Sequence, residues 1–141
     1  MFIGLTGLIG AGKSTAARIL ESCGGAVIDA DMIGRRVVDQ SASLRRKLAR
    51  AFGADVILPN GRLDRPKVAA RAFADDSSRR TLNSIVHPLL LKELGREMKQ
   101  LQRTHRVVVI DAALLLDWNL DRQLDMTLVI DAPEDLRFAR L

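Results

Sequence analysis

Four short apolar segments, separated by longer stretches with helical spacing, organise the chain. They span residues 2–6, 26–29, 107–111 and 126–131. Each is apolar on both faces, a pattern typical of parallel strands that are covered on both sides of a sheet. Because helical patterns lie between these segments, the sequence predicts a three-layer α/β fold around a parallel sheet.

Helices are predicted between the strands from apolar spacing and from residues that favour helix starts. They cover residues 13–22 and 43–52, and begin at Met32 with Asp31 as its cap, at Pro66, at Ser77 or Ser78, and at Pro133. The long helix after Ser78 is expected to break near His87 and Pro88, because proline lacks the N–H that a helix interior uses. Residues 32–105 are therefore predicted to form a helical subdomain within one domain.

The composition of the 141 residues is typical of one globular domain, and it bears on whether the protein is membrane-bound or secreted. No apolar run approaches the roughly 20 residues that a membrane helix needs, so we expect no membrane segment. The first basic residue, Lys13, follows the apolar start rather than preceding it, unlike a signal peptide. With a single cysteine, Cys23, no internal disulfide can form. We therefore expect a cytoplasmic protein.

The net charge of +5 is concentrated in the middle of the chain. Residues 32–107 hold seventeen basic and seven acidic side chains, whereas acidic residues prevail on both sides of that segment. A basic middle favours a partner that carries phosphates, although a general richness in arginine remains an alternative. Nucleic acid is not expected as the partner, because the chain has no tyrosine, one tryptophan and only four scattered phenylalanines for stacking on bases.

One motif carries specific chemistry. The segment Gly7-Leu8-Ile9-Gly10-Ala11-Gly12-Lys13-Ser14 fits G-x-x-x-x-G-K-[S/T] at every fixed position, and it follows a predicted strand and opens a predicted helix. This is the context of a P-loop, which binds phosphates through backbone N–H groups at a helix N-terminus. The residues predicted to bind ATP are Gly10, Ala11, Gly12, Lys13, Ser14 and Thr15. Lys13 would bridge the terminal phosphates, and the Ser14 hydroxyl would bind Mg²⁺.

Three predicted strands end in aspartate, at positions 29, 111 and 131. In parallel α/β sheets ligands bind at the carboxyl ends of the strands, so these carboxylates are expected to border the P-loop. Asp111 resembles a Walker B acid that helps to hold Mg²⁺, while capping of a turn is the alternative. The chain has no Asn-Lys-x-Asp motif, which argues against a small GTPase, and its length argues against a motor.

Further residues along the whole chain carry a resemblance to one family, the dephospho-coenzyme A kinases. They are Ile3-Gly4-Leu5-Thr6-Gly7, the P-loop through Thr15, Val27-Ile28-Asp29-Ala30-Asp31, Phe52-Gly53, Gly61, Leu63, Arg65, Leu82-Asn83, Ile85, His87-Pro88, Leu114-Leu115, Asp125, Val129-Ile130-Asp131-Ala132-Pro133-Glu134 and Arg140. The resemblance implies a P-loop kinase fold with the adenylate-kinase-like strand order 2-3-1-4, in which residues 32–105 bind the substrate. It also implies ATP-dependent phosphorylation of the ribose 3′-hydroxyl of dephospho-CoA, the last step of coenzyme A synthesis.

The same resemblance implies roles for individual side chains. Asp31 would contact the attacking hydroxyl and accept its proton, which would make it catalytic together with Lys13 and Arg140. Thr6 would lie beside the substrate, and Arg140 would meet phosphates. Three simpler interpretations stay open, namely that Asp31 caps a helix, that His87 is structural rather than a substrate contact, and that Arg140 is a solvated helix residue.

The chain also departs from the family pattern. Where the family usually has Pro-Leu-Leu-x-Glu, this chain has Ala113-Leu114-Leu115-Leu116-Asp117. It ends at Leu141, where family members enter a basic lid, so the lid and C-terminal elements are expected to be absent. Two alternative functions therefore remain, another small-molecule P-loop kinase and a nucleotide-binding module without turnover. The oligomeric state is not predicted.

Overall fold

A computed structural model describes residues 1–140 of the chain, and in this part the strands and helices alternate as the sequence predicts. The strands are β1 Phe2–Gly7, β2 Ala26–Asp29, β3 Val108–Asp111 and β4 Met126–Ile130. The helices are α1 Lys13–Ser22, α2 Ala30–Gln40, α3 Ala42–Phe52, α4 Arg65–Ala72, α5 Asp76–Leu101 and α6 Glu134–Phe138. Within the described residues no helix is long and apolar enough to cross a bilayer.

The four strands form one parallel sheet in the order β2-β3-β1-β4, which confirms the predicted fold class and strand order. Strand β1 lies between β3 and β4, with Leu5 opposite both Asp111 and Leu128. Consecutive parallel strands need a crossover connection, and helices between the strands supply it. The loop that follows β1 therefore starts from the interior of the sheet.

The sheet is covered where α1 packs on it. Ile3 and Leu5 of β1, Val109 of β3 and Ala17 of α1 are buried together. Burying side chains of this size contributes about 1.5–3 kcal/mol each to stability, so this cluster fixes α1 against β1. Both ends of the loop between β1 and α1 are thereby held by packed elements.

Strand β4 is less covered than its apolar sequence predicts. It forms one edge of the sheet, and Met126 and Val129 keep 50% and 62% of their surface exposed. The expectation that each strand is covered on both faces is therefore wrong for β4. Continuous apolar runs do not distinguish a central strand from an edge strand, because position within the sheet depends on partners that are distant in sequence.

The contacts divide the chain into two compact units. One contains the sheet and consists of Met1–Asp31 together with the chain from Leu94 onward, and the other is Met32–Glu93. The second unit is helical and also contains a short antiparallel bridge between Ile57 and Leu63. The assignment of residues 32–105 to substrate binding stays a prediction.

Several basic side chains of the helical unit are engaged in ion pairs within it. Arg71 donates to both carboxylate oxygens of Asp55, at 2.7 and 2.8 Å, and this guanidinium holds the pKa of Asp55 well below its usual range. Arg65 donates to Asp39 at 2.8 Å and to the backbone oxygen of Arg35 at 3.1 Å. Part of the positive charge in the middle of the chain therefore supports the local fold.

Helix α5 runs from Asp76 to Leu101 without a break, so the predicted interruption near His87 and Pro88 is wrong. Proline in a helix interior removes one hydrogen bond and costs about 3 kcal/mol. Leu90 and Leu94, one turn apart beyond the proline, are both almost fully buried. Burial of these side chains offsets a cost of that size, and the helix continues through Pro88.

Gly7, the last residue of β1, lies against the neighbouring strand, and a side chain at this position would overlap the Ile130 carbonyl oxygen. Since backbone atoms of a paired strand cannot easily move aside, we expect Gly7→Ala to lower the free energy of unfolding by about 1–3 kcal/mol. Gly95→Ala is the matched control, because Gly95 has open space around it and alanine favours a helix interior by about 0.5–1 kcal/mol. Denaturant titration of both variants checks the difference, and an equal effect would contradict the close approach.

Candidate functional site

The loop between β1 and α1 takes a shape that requires glycine at two of its positions. Gly10 and Gly12 have φ angles of 78° and 104°, in the left-handed region that other residues seldom adopt. A side chain on Gly10 would also come within 2.6 Å of the Arg137 carbonyl oxygen. The glycine spacing of the motif therefore matches the turn and the close approach that the structure shows.

This loop presents backbone N–H groups at the start of α1. Gly12 occupies the position before the helix and supplies no capping side chain, so the first turn is open to an outside acceptor. Among residues 1–140, the N–H groups of Gly10, Gly12, Lys13 and Ser14 donate to no other protein group. Unpaired donors at the positive end of a helix dipole form a site for anions such as phosphate.

Lys13 is placed between this loop and the end of β3. Its ammonium group donates to Asp111 Oδ1, and the two side chains are only 20% and 14% exposed. Asp111 lies opposite Leu5 in the register of β1 and β3, so the sheet brings it beside the P-loop. The predicted proximity of these two residues is present, while their roles toward phosphate and metal stay predictions.

The donor set around the loop fits a hard cation such as Mg²⁺. Ser14 and Thr15 are exposed, and no hydrogen bond of the Ser14 hydroxyl is found within the described chain. No group of three or more His, Cys, Asp or Glu residues is close enough to hold a metal in residues 1–140. Mg²⁺ at nucleotide sites takes few protein oxygens and completes its shell with phosphates and water, so the assignment of Ser14 and Asp111 as its ligands stays a prediction.

Asp31 lies close to Lys13 and Asp111, but it does not cap a helix that starts at Met32. Helix α2 begins at Ala30, so Asp31 belongs to its first turn, and the capping interpretation is wrong. Its Oδ2 instead accepts the N–H of Ala113 at 3.3 Å. Partial burial raises the pKa of this carboxyl, the Ala113 N–H and Lys13 act against that rise, and the nearby Asp29 and Asp111 charges add to it.

Thr6, in β1, contacts the same residue, Ala113, in the loop after β3. It is buried, and its hydroxyl donates to the Ala113 carbonyl oxygen at 3.3 Å. Both polar groups of the Ala113 backbone therefore contact predicted site residues. Sequence reasoning singled out Ala113 only as a departure from a family pattern and missed these contacts, because a backbone hydrogen bond leaves no trace in residue type.

Arg140 lies against the P-loop. Its Nη1 donates to the carbonyl oxygens of Gly10 at 3.1 Å and Ala11 at 3.4 Å. A side chain that binds two loop carbonyls helps to hold the loop in shape, and its charge remains beside the open N–H groups. The prediction that Arg140 meets phosphates is not tested by these contacts.

Two candidates remain, namely His87 and Asp131. His87 belongs to the helical unit Met32–Glu93, where burial lowers the pKa of its imidazole and favours the neutral form. Its substrate contact stays a prediction. Asp131 follows Ile130, which is paired with Gly7 of the P-loop, and its carboxylate accepts the N–H of Ala132 at 2.8 Å.

Loss of the Arg140 contacts should make the P-loop, between β1 and α1, less rigid. We expect Arg140→Gln to weaken ATP binding about threefold to tenfold, because charge-assisted hydrogen bonds to Gly10 and Ala11 are lost. Arg122→Gln is the control, since it removes the same charge from an exposed position in another part of the sheet unit. Calorimetry measures the ATP affinity of both variants. Equal ATP affinities would refute a role for Arg140 in supporting the P-loop.

Comparison with known proteins agrees with this geometry. The family model described as dephospho-CoA kinase matches residues 1–141. A dephospho-CoA kinase of Corynebacterium efficiens is 42% identical over 140 residues, which is 99% of this chain and 70% of that protein. One from Methylococcus capsulatus is 40% identical over 141 residues, covering 100% of this chain and 70% of the relative.

Solved structures support the fold. The protein TT1252 from Thermus thermophilus superposes with a TM-score of 0.82 at 33% identity, covering 99% of this chain and 70% of that one. A dephospho-CoA kinase from Campylobacter jejuni, at 17% identity and a TM-score of 0.65, covers 97% of this chain and 92% of its own and supports the fold alone. The family model matches this chain along its whole length, and the P-loop glycines have the backbone angles that the motif requires. The chain therefore belongs to the dephospho-CoA kinase family.

Proposed function

We propose that this chain transfers the γ-phosphoryl group of ATP to the ribose 3′-hydroxyl of dephospho-CoA, which gives coenzyme A and ADP. The chain belongs to a family of kinases, which use ATP, and the acceptor named for that family is dephospho-CoA. The single observation that carries the proposal is the half-buried carboxylate of Asp31, which lies within electrostatic reach of the P-loop lysine. A P-loop by itself indicates nucleotide binding and does not identify an acceptor.

The P-loop residues bind the phosphates in this proposal. The open N–H groups of Gly10, Gly12, Lys13 and Ser14 donate to phosphate oxygens, and no capping side chain has to move aside first. Lys13 already faces a carboxylate and would share its charge between Asp111 and the terminal phosphates. These contacts stabilise the negative charge that spreads over the phosphate oxygens during transfer.

Ser14 and Asp111 would hold Mg²⁺ through their oxygens. When bound, this ion neutralises negative charge on the phosphates and orients them for transfer. The Ser14 hydroxyl is exposed at the start of α1, and Asp111 ends the adjacent strand β3. The choice of these ligands is a proposal that rests on the chemistry of the two side chains and their common location.

Asp31 accepts the proton of the attacking hydroxyl. The hydroxyl oxygen forms a bond to the γ-phosphorus, its proton moves to the Asp31 carboxylate, and the bond to the bridging oxygen breaks so that ADP leaves. A carboxyl with a raised pKa is a better proton acceptor than an exposed aspartate. Arg140, beside the loop, supplies a further positive charge near the phosphates.

The experiment that tests this function measures ADP formation with a panel of acceptors. Purified chain, MgATP and dephospho-CoA should give ADP together with a product that has gained one phosphoryl group by mass spectrometry. The matched control acceptor is 3′-deoxy-dephospho-CoA, which keeps every other contact and lacks the attacking hydroxyl. Phosphorylation of another alcohol in preference to dephospho-CoA would identify a different small-molecule kinase. Binding of ATP without any transfer would leave a nucleotide-binding module, and the proposal would be wrong.

The cytoplasmic location inferred from the start of the sequence and the single cysteine stays a prediction, as does the absence of a nucleic-acid partner. Neither affects the proposed reaction.

A further inference from the structure

Lys13 and Asp111 form an ion pair beside the P-loop. The Lys13 ammonium group donates to Asp111 Oδ1, and the two side chains are only 20% and 14% exposed. Lys13 is the first residue of α1, which packs on the sheet through the buried Ala17. Asp111 is the last residue of β3 and pairs with Leu5 of β1 and Asp29 of β2. Because both backbones belong to packed elements, this ion pair opens by rotation of its side chains.

The ion pair competes with the proposed role of Lys13 toward phosphate. In the proposed function Lys13 meets the terminal phosphates of ATP, which carry the same sign of charge as Asp111. Metal-free ATP would therefore compete with the Asp111 carboxylate for one ammonium group and be repelled by that carboxylate. Both effects are stronger at a largely buried pair than in open water, because the local dielectric constant is lower.

The other charges described beside the loop do not remove this competition. Arg140, a second cation near the P-loop, donates to the carbonyl oxygens of Gly10 and Ala11. Asp31 lies within electrostatic reach of both Lys13 and Asp111 and adds negative charge. A ligand that brings only negative charge is therefore at a disadvantage at Lys13, whereas a ligand that brings its own cation offers the carboxylates a partner.

The Asp111 carboxylate also has an oxygen to spare. Within residues 1–140, no hydrogen bond of Asp111 Oδ2 is found, since the contact with Lys13 uses Oδ1. An unengaged carboxylate oxygen suits a hard cation or a water molecule bound to one. Asp111 can therefore face a cation on the phosphates at the same time as Lys13 turns toward the phosphates.

We propose that Asp111, by holding Lys13 in the nucleotide-free chain, makes the P-loop select the magnesium complex of ATP over metal-free ATP. Asp111 is thus a specificity-determining residue for the form of the nucleotide. This inference rests on the proposed function only in that ATP binds at the P-loop, and it does not depend on the identity of the acceptor.

The first test compares ATP affinities by calorimetry in excess Mg²⁺ and in excess EDTA. Wild type should bind metal-free ATP at least about tenfold more weakly than the magnesium complex. Asp111→Asn should bind metal-free ATP about five- to twentyfold more tightly than wild type, because Lys13 is released and the repulsion is lost. It should bind the magnesium complex no more tightly than wild type. Metal-free affinity that did not rise in Asp111→Asn, or an equal rise for both forms, would overturn the proposal.

Asp135→Asn is the matched control for these affinities. It removes the same charge from an exposed position in the sheet unit. The ratio of its two ATP affinities should stay within about twofold of the wild-type ratio, because exposed charges are screened by salt. A change as large as that in Asp111→Asn would show an effect of net charge alone, and the proposal would be wrong.

A second measurement separates the release of Lys13 from the loss of repulsion. In the Lys13→Ala background, Asp111→Asn removes only the repulsion, because no ammonium group remains to be released. The gain in metal-free affinity should therefore be at least about twofold smaller there than in the wild-type background, as for any pair of coupled residues. An equal gain in both backgrounds would show that Asp111 does not act through Lys13 and would overturn the inference.

The wild-type comparison needs no variant. If wild type binds ATP equally well with Mg²⁺ and with EDTA, the inference is wrong whether or not Asp111→Asn folds. Should that variant fail to fold, Asp111→Ser, which is also uncharged, takes its place with the same expected affinities. The proposed function is judged separately by transfer to dephospho-CoA. Absence of transfer together with the expected affinities would refute that function and support this inference, whereas absence of ATP binding in both conditions would refute both.

Discussion

Lys13→Ala is expected to bind ATP at least about tenfold more weakly than wild type and to lose turnover by on the order of 10³. The ammonium group lies at the start of α1, where it would meet the terminal phosphates, and no other lysine is present in the loop. Its loss removes a charge that stabilises the transferring phosphoryl group more than it stabilises the ground state. Turnover should therefore fall further than affinity does.

The same substitution has a structural effect that must be separated from the functional one. Asp111 loses its partner in Lys13→Ala, and a largely buried carboxylate without a counter-charge is destabilising. The double variant with Asp111→Asn removes that charge, so it should recover stability but not ATP binding. Lys67→Ala serves as a control for the loss of one lysine, because Lys67 pairs with Asp55 and Asp64 in the helical unit. Calorimetry that gave wild-type ATP affinity for a folded Lys13→Ala protein would refute the assignment of the P-loop.

For Asp31→Asn, turnover with dephospho-CoA should fall by about 10²- to 10⁴-fold, while the affinity for both substrates changes less than about threefold. The asparagine side chain keeps the size and can still accept the N–H of Ala113, but it cannot take a proton. The effect should therefore appear in kcat and not in KM, which steady-state kinetics will measure.

The raised pKa of Asp31 fixes the sign of two accompanying effects. The folded chain binds the Asp31 carboxyl proton more tightly than the unfolded chain does. The protein therefore loses stability as the pH rises from the usual aspartate pKa of 3.8 through the raised pKa of Asp31. At neutral pH Asp31→Asn should therefore melt at the same temperature as wild type or at a higher one. Wild-type turnover should decline as pH falls through the raised pKa, since only the ionised carboxylate accepts a proton.

Asp29→Asn is the matched control for these effects. Asp29 contributes to the raised pKa of Asp31 and ends β2, so its neutralisation should shift the acidic limb of the pH profile to lower pH without abolishing turnover. If Asp31→Asn kept wild-type kcat, or if it melted well below wild type, Asp31 would be a structural residue and the proposed chemistry would be wrong.

The features that the sequence predicted correctly depend on local rules. Glycine at positions 10 and 12 is required by backbone angles within a single turn, and such a requirement is visible in the residue type alone. The four strands are short apolar runs separated by helical patterns, and their bounds agree with the structure to within one or two residues. The strand order followed from the family resemblance, because periodicity does not specify which strands pair.

The features that were mispredicted or missed depend on distant contacts. Pro88 is a strong local signal for a break, but burial of Leu90 and Leu94 outweighs it. The exposure of Met126 and Val129 in the edge strand β4 depends on which elements pack against that strand, and no short segment encodes this. The contact of Asp31 with Ala113 joins residues far apart in the chain through a backbone donor, so neither residue type predicted it.

The position of β1 between its two neighbours also has a consequence for the order in which the molecule assembles during synthesis. Both partners of β1, namely β3 and β4, come from the last third of the chain. Gly7 and Ile130 form the last pair between β1 and β4. Strand pairs that are so distant in sequence form late, because a long loop must close before they gain any hydrogen bond. A ribosome translating this chain therefore releases the P-loop segment well before β3, and the segment lacks a strand on its second side until Ile130 has emerged. Nucleotide cannot assist the early stages of folding and can stabilise only the nearly completed sheet unit.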